Sequence, residues 1–537
     1  MDDDDGRDDD NQLRILVGAC NAAISLLGSD FSSNDLQPCG PGVVQLHRSV
    51  VESLARRTPL LEPLVSRTND LLRLSTTKLH AFPYRDVPLC WRRLYTDASI
   101  LKAVAQITIL LDRPSTGSEE WMAGLENEDA EIVKTLDMAL IMTGAPGNER
   151  RETFEELLAE LDCYVTVLNG ARERFLGKRR KLHPESLIPL HSLPLAPDIT
   201  YAIDRLGEPL SLEQFQLHLS GANTPMIISK LISHWPALTD HPWSSASYLL
   251  SKTHQGRRLV PVELGKSYTT ADWGQKIMTF KEFLNTHILN SQAGDKSGEG
   301  SVGGESELSP TGYLAQHTLF SQIPELRNDI LTPDYCYTTP PPPPAIVPPA
   351  QLEDPLVNAW FGPSGTISPL HTDPYSNILT QVLGRKYIRL YAPSETPKLF
   401  PRGIDENGVD MSNTSQVDID DEDLAGLGSE DRYEAWRGSQ YVEGVLEAGE
   451  GLYIPVCSNY PGLKDFSCMG YASQVADDVN VDRLGGGIML RVWIRVLVLA
   501  FGGIEEWGLS DQDVNPMRLA HIFLGWIHGL VWQSHAR

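Results

Sequence analysis

The chain has 537 residues, 41% hydrophobic and 22% charged, close to the globular average, which excludes a wholly disordered, collagen-like or coiled-coil protein. At roughly 150 residues per domain the length suggests three or four folding units. Lys plus Arg number 45 against 71 Asp plus Glu, a formal net charge of -26, which argues against a non-specific binder of phosphate backbones and is compatible with a basic peptide partner.

Residues 1–10 are an Asp run without a cationic start or an apolar stretch, so they read as an acidic disordered tail and not as a signal peptide. From residue 11 to 176 apolar residues recur at helical spacing, as in Leu13, Leu16, Ala19, Ala23 and Leu26, or Val43, Leu46, Val50, Val51 and Leu54. Further helical stretches fall at 87–107, 129–142 and 152–168, and the whole segment reads as an all-helical domain with no paired carboxylates or ligand-spaced histidines. Residues 177–197 form a linker: the basic cluster Lys178, Arg179, Arg180, Lys181, followed by a Pro-punctuated stretch. Such a cluster suits a nuclear import signal as well as an exposed helix end, giving an expected location in the nucleus, with the cytoplasm as a second. The seven cysteines show no CxxC spacing, consistent with a reducing compartment and no structural zinc cluster. No membrane span is expected, because the apolar run at 496–504 falls short of the roughly 20 residues one needs.

After residue 198 the pattern changes to short β-branched and apolar runs at 225–232, 259–264, 358–361, 378–383, 386–391 and 451–456, the signature of a β sandwich or barrel. Helices at 212–219, 245–253 and 280–289 would pack outside it. A Gly/Ser/Glu-rich insertion at 291–312 and a Pro-rich one at 340–349 read as surface loops.

The segment Trp360-Phe-Gly-Pro-Ser-Gly-Thr-Ile-Ser-Pro-Leu-His371-Thr-Asp373 carries the chemistry. Side chains alternate across a strand, so His371 and Asp373 point to one side and Thr372 to the other. An imidazole and a carboxylate so placed supply two of the three ligands of a 2-His-1-carboxylate facial triad, which leaves positions open on Fe(II) for a cosubstrate and O2. Ser368 lies three residues upstream, on the opposite face under strict alternation unless Pro369 breaks the strand. Lys386 opens the next apolar run, and a lysine inside a small barrel requires an anion such as a dicarboxylate; otherwise it would extend outward.

Together with Tyr313-Leu-Ala-Gln-His, Pro333-Asp-Tyr-Cys336 and Val260-Pro-Val-Glu-Leu-Gly-Lys-Ser-Tyr268, this block resembles a JmjC-domain oxygenase of the lysine-specific demethylase 8 type, also called JmjC-domain-containing protein 5. The resemblance spans residues 198–456. It implies an α+β multidomain chain, with an all-helical N-terminal domain and a JmjC cupin, the double-stranded β-helix or jelly roll, that holds Fe(II) and 2-oxoglutarate. His371 and Asp373 would be the catalytic metal ligands. Lys386 would pair with the distal carboxylate of 2-oxoglutarate, assisted by Tyr268, Ser368 and Asn377, and Trp360 would line the pocket. The implied reaction couples decarboxylation of 2-oxoglutarate to succinate with oxidation of a protein side chain, either arginyl hydroxylation or N-methyl-lysine demethylation. The expected partner is a basic protein or peptide such as a histone, with no sequence-specific nucleic-acid contact and no membrane.

The pattern breaks after the strand Leu452-Tyr-Ile-Pro455. Where the resemblance calls for a second metal histidine in a Trp-His setting, the chain reads Val456-Cys-Ser-Asn-Tyr, and no histidine occurs between His371 and His521. Cys457 would be a softer donor than such a site uses. The closing strands of the barrel are not recognisable in residues 457–537, so this region reads as divergent and the jelly roll as incomplete there. A change this abrupt is what an altered reading frame or a retained intron would leave. The competing function is a catalytically inactive pseudo-oxygenase that serves as a protein-binding scaffold.

Overall fold

The computed structural model describes residues 5–29, 35–57, 61–83, 86–113, 119–175, 198–265, 269, 273–289, 311–340, 354–363, 365–373, 375–404, 410–419, 426–456, 469–474 and 487–493. The chain divides into two units, Met1–Pro184 with Arg257–Leu259, and Glu185–Gly256 with Val260–Arg537. The linker residues 177–197 and most of the two expected insertions lie outside the described residues.

The first unit is built from α1 (Asp5–Ser29), α2 (Pro41–Ala55), α3 (Leu61–Leu79), α4 (Leu89–Asp112), α5 (Glu119–Thr143) and α6 (Arg150–Phe175). Helix α1 buries Leu16, Ala19, Cys20, Ala23 and Leu27, one stripe at helical spacing, against Val50, Val51 and Leu54 of α2 and Phe154, Leu157 and Leu161 of α6. Helices α1 and α4 are long and apolar enough to cross a membrane by length and composition alone. In α4 that apolarity is core, since residues from Leu94 to Ile107 are buried on several sides. The core also encloses charge. Asp97, 2% exposed, accepts hydrogen bonds from Arg93 Nε at 3.1 Å and Arg150 Nε at 3.2 Å, and His47 Nε2 lies 3.7 Å from its other oxygen.

The second unit carries β1 (Asp204–Leu206), β2 (Met226–Ile228), β3 (Leu259–Leu264), β4 (Gly274–Thr279), β5 (Gly312–His317), β6 (Val357–Gly362), β7 (Ile367–His371), β8 (Asn377–Leu383), β9 (Arg385–Tyr391), β10 (Tyr441–Glu447), β11 (Gly451–Ile454), β12 (Met469–Gln474) and β13 (Gly487–Trp493). They form a nine-stranded sheet in the order β1-β2-β11-β8-β13-β6-β5-β3-β4 and a four-stranded sheet in the order β10-β9-β12-β7. This is the two-sheet jelly roll that the sequence implies. Helices α7 (Leu212–Ser220), α8 (Ala246–Lys252) and α9 (Phe280–Phe283) belong to the same unit, and α7 starts on a reciprocal Ser211–Gln214 capping box.

Strand alternation sorts three cores. On β6, Ala359 and Phe361 join Phe215, Trp235, Trp243, Phe280 and Phe283 on the helix-covered face of the large sheet, and Trp360 faces the other way. On β9, Tyr387 and Tyr391 turn outward to Leu399, Val417 and Leu427, whereas Ile388 and Leu390 turn inward with Trp360, Tyr313, Leu379, Leu446 and Leu452. All seven residues of β8 are buried, polar Asn377, Thr380 and Gln381 among them, and Asn377 and Gln381 donate to the carbonyls of Tyr375 and Leu383.

Beyond Val456 the structure contains the closing strands that the sequence pattern does not reveal. β12 fills the gap between β9 and β7 in the small sheet, and β13 the gap between β8 and β6 in the large one. Both are short, six and seven residues, with alternation such as Ile488, Leu490, Val492 that is too brief to stand out beside glycine-rich flanks. Cys457, Cys468 and the apolar tail at 519–531 lie outside the described residues.

Candidate active site

Gly384, at φ 75°, joins β8 of the large sheet to β9 of the small one. That left-handed conformation is open to glycine at little cost, and it turns the chain from one sheet to the other. Two residues later, Lys386 shares its strand face with Ile388 and Leu390, so alternation places it in the interior between the sheets. Its side chain is fully buried, and Nζ donates to Tyr313 Oη at 3.2 Å while lying 5.6 Å from the centre of that ring.

Tyr313, on β5, is the residue that sequence reasoning missed. The tyrosine expected beside Lys386 was Tyr268, which lies outside the described residues. Tyr313 stands immediately after the long insertion, and its contact with Lys386 spans 73 positions, so no local spacing marks it. Gly362 on β6 makes room for it: a Cβ there would lie 2.6 Å from the Tyr313 ring.

At the end of β7, His371 Nδ1 bonds to the Pro369 carbonyl at 2.7 Å. A carbonyl accepts only, so Nδ1 carries a hydrogen, and in the neutral ring Nε2 presents its lone pair. Nε2 lies 3.8 Å from Asp373 Oδ2, and both side chains are partly open, 17% and 13% exposed. A lone pair and a carboxylate oxygen facing each other at this separation suit a shared cation, and the carbonyl at Nδ1 is the usual orienting partner of a metal-bound imidazole. Asn377 Nδ2 donates to Asp373 Oδ2 at 3.1 Å and to the Tyr375 carbonyl at 3.2 Å. The asparagine therefore orients the carboxylate. Its Oδ1 is buried with no hydrogen-bond partner among the described residues, a polar group left for a ligand or water to satisfy.

Ser368 is on the pocket face for a reason the sequence only hinted at. His371 pairs with Gly470 and Ser368 with Ala472, so three steps on β7 match two on β12. This β-bulge at Pro369–Leu370 resets the alternation and brings Ser368 to the face of His371. Trp360, 5% exposed, packs with Tyr313, Leu379 and Ile388 in the same interior.

Glu263 on β3 is a further carboxylate in this neighbourhood. Val260 and Val262 face the helices, so Glu263 faces oppositely, and it is the register partner of Tyr313. Trp273 Nε1 donates to it at 3.3 Å, and burial pushes its pKa up to about 7.

His371 and Asp373 could supply two ligands to a metal, and Lys386 is a buried lysine that could meet an acid. They do not complete the triad: no group of three or more His, Cys, Asp or Glu that could hold a metal occurs among the described residues.

Comparison with known proteins agrees with the architecture. The Cupin-like domain family matches residues 212–457. Lysine-specific demethylase 8 of Xenopus tropicalis is 40% identical over 416 residues, 72% of this chain and 83% of that protein. The protein of the same name from Danio rerio is 34% identical over 392 residues, 73% of this chain and 82% of that protein. Jumonji C domain-containing protein 5 of Drosophila melanogaster is 35% identical over 385 residues, 70% of this chain and 78% of that protein. With relatives at this identity matched over most of their own length, the chain belongs to the JmjC family of Fe(II)- and 2-oxoglutarate-dependent oxygenases, in the branch of lysine-specific demethylase 8 and Jumonji C domain-containing protein 5.

Proposed function

We propose that this chain is a protein hydroxylase that binds 2-oxoglutarate at Lys386 and acts on an arginine-containing basic segment. The observation that carries the reading is the fully buried Lys386 ammonium held by Tyr313 on the same inner face as Trp360. A buried ammonium is costly unless an anion meets it, and the distal carboxylate of 2-oxoglutarate is an anion of suitable reach. Tyr313 orients the lysine, Asn377 holds Asp373, and His371 and Asp373 are the proposed metal ligands. In the reaction one oxygen atom of O2 enters succinate as CO2 leaves, and the other enters the C–H bond of the substrate.

Glu263 favours arginine over methyl-lysine. Its ionised form would accept two parallel hydrogen bonds from a guanidinium fork, a geometry that a methylated ammonium does not offer. The acidic overall charge supports a basic partner. Nuclear location, with some protein in the cytoplasm, rests on the cluster Lys178, Arg179, Arg180, Lys181; a fluorescent fusion should lose nuclear enrichment when those four become alanine.

The incomplete ligand set supports a second reading, a protein-binding scaffold without turnover. Succinate release from full-length protein supplied with excess Fe(II), 2-oxoglutarate and an arginine-rich peptide separates the two. Peptide-dependent release lost in His371→Ala supports the hydroxylase. Release no greater than that of His371→Ala sinks it and leaves the scaffold.

A further inference from the structure

We infer that the third metal-ligand position of this pocket falls at Gly470, so that the chain holds a divalent cation through two side chains only, His371 and Asp373. The inference rests on the reading of those two residues as metal ligands.

β12 is fixed on both edges, to β7 and to β9. Its register sets Gly470 opposite His371 on one side and opposite Leu390 on the other. Directly paired residues of an antiparallel sheet share a face, with Cβ atoms about 4.5–5.5 Å apart. Leu390 belongs to the interior core, so the shared face is the one that looks into the barrel. A donor side chain at 470 would therefore stand beside the His371 imidazole, inside the pocket. Glycine has no donor. The next position on that face, Ala472, which pairs with Ser368 and Ile388, has none either.

On the other flank of His371 the chain makes a single bridge to Thr414. That residue is buried, and its hydroxyl donates to Asn413 Oδ1 at 3.2 Å. A neutral hydroxyl so engaged is a poor substitute for imidazole. Thus the two backbone neighbours of His371 across the sheet are a residue with no side chain and a threonine. The sequence agrees, for no histidine follows His371 until His521.

The consequence is an uncoupling of two binding events that a complete triad would link. The cation is held weakly, and the Lys386 end of the pocket binds 2-oxoglutarate whether or not metal is present. A donor restored at 470 should recover tight metal binding.

The test is titration of full-length protein with Mn(II) and with Co(II), followed by calorimetry and by the visible absorption of bound Co(II). Wild type, His371→Ala, Gly470→His and Gly470→Asp are compared, each checked for folding by circular dichroism. Expected are weak binding by wild type, weaker binding by His371→Ala, and tightening in at least one folded 470 variant. That tightening should be no less than the roughly 10–100-fold that a mere supporting partner of a metal ligand commands, with a new Co(II) absorption band. Submicromolar affinity in wild type overturns the inference by itself, even if both 470 variants misfold. So does a wild type weakened by His371→Ala but not improved by either folded 470 variant, which leaves His371 and Asp373 as ligands and places the third elsewhere. If His371→Ala changes nothing, the reading of His371 and Asp373 fails, and the inference fails with it.

Discussion

Replacing Lys386 with methionine should move binding and stability in opposite directions. The side chain is 0% exposed, with Trp360, Leu379, Ile388, Leu390 and Leu446 in the surrounding core and Tyr313 on its ammonium. Methionine has similar length and volume and no charge. Truncating one partner of a buried, hydrogen-bonded charge pair costs about 2–5 kcal/mol of binding, and each 1.4 kcal/mol is tenfold in Kd. The 2-oxoglutarate Kd should therefore rise by roughly 30- to 4000-fold. Exchanging a buried charge for an apolar group of similar volume is neutral or stabilising by about 1–4 kcal/mol, so the ligand-free protein should resist urea at least as well as wild type. Calorimetric titration of 2-oxoglutarate and urea unfolding in its absence read the two effects. An unchanged Kd would refute the anchoring role. A loss of more than about 2 kcal/mol of stability would show instead that Lys386 is paired within the fold and serves packing, since breaking a satisfied buried pair costs that much or more.

Gly362→Ala should weaken 2-oxoglutarate binding without touching any charged group, because the added methyl lies 2.6 Å from the Tyr313 ring and must push it off Lys386; an unaltered Kd would show that Tyr313 is not needed to orient the lysine. Burial raises the Glu263 pKa from 4.5 to about 7, so this carboxyl is neutral below that pH and charged above it. Affinity for an arginine peptide should then grow as pH rises through about 7, and Glu263→Gln should flatten the profile. The same shift has a sign for folding: the folded state keeps its proton longer than the unfolded chain, so stability attributable to Glu263 is lost as pH climbs from 4.5 to about 7. A urea midpoint with the same pH slope in wild type and Glu263→Gln would contradict this. In the helical unit, Asp97→Ala leaves the buried Arg93 and Arg150 guanidinium groups without their shared carboxylate and should cost about 3–5 kcal/mol; a change in its unfolding transition below about 1 kcal/mol would show that the network contributes little.

Much of the pocket is legible in the sequence because it obeys period two. Lys386 with Ile388 and Leu390 follows from alternation within one strand, whereas Asp373 lies two residues past the end of β7, whose last residue is His371. Ser368 needed the bulge, which a proline in the strand signals but does not establish. Tyr313 and Glu263 enter through pairing of β5 with β3 and β6, contacts distant along the chain with no spacing rule of their own. In the first unit α3 escapes the apolar count because Thr68 and Ser75 occupy its buried stripe beside Leu64 and Leu71. Their hydroxyls bond back to the helix's own carbonyls at Val65 and Leu71, so polar residues are satisfied inside a core that hydropathy alone would not place there.

The most direct test of the whole account is succinate release by the full-length protein as Fe(II) is raised, with 2-oxoglutarate and an arginine-rich peptide held in excess. Peptide-dependent release should climb with Fe(II) well beyond the enzyme concentration, as a two-ligand site requires, and should be lost in both His371→Ala and Lys386→Met. Release that does not rise above those two variants at any Fe(II) concentration would contradict it.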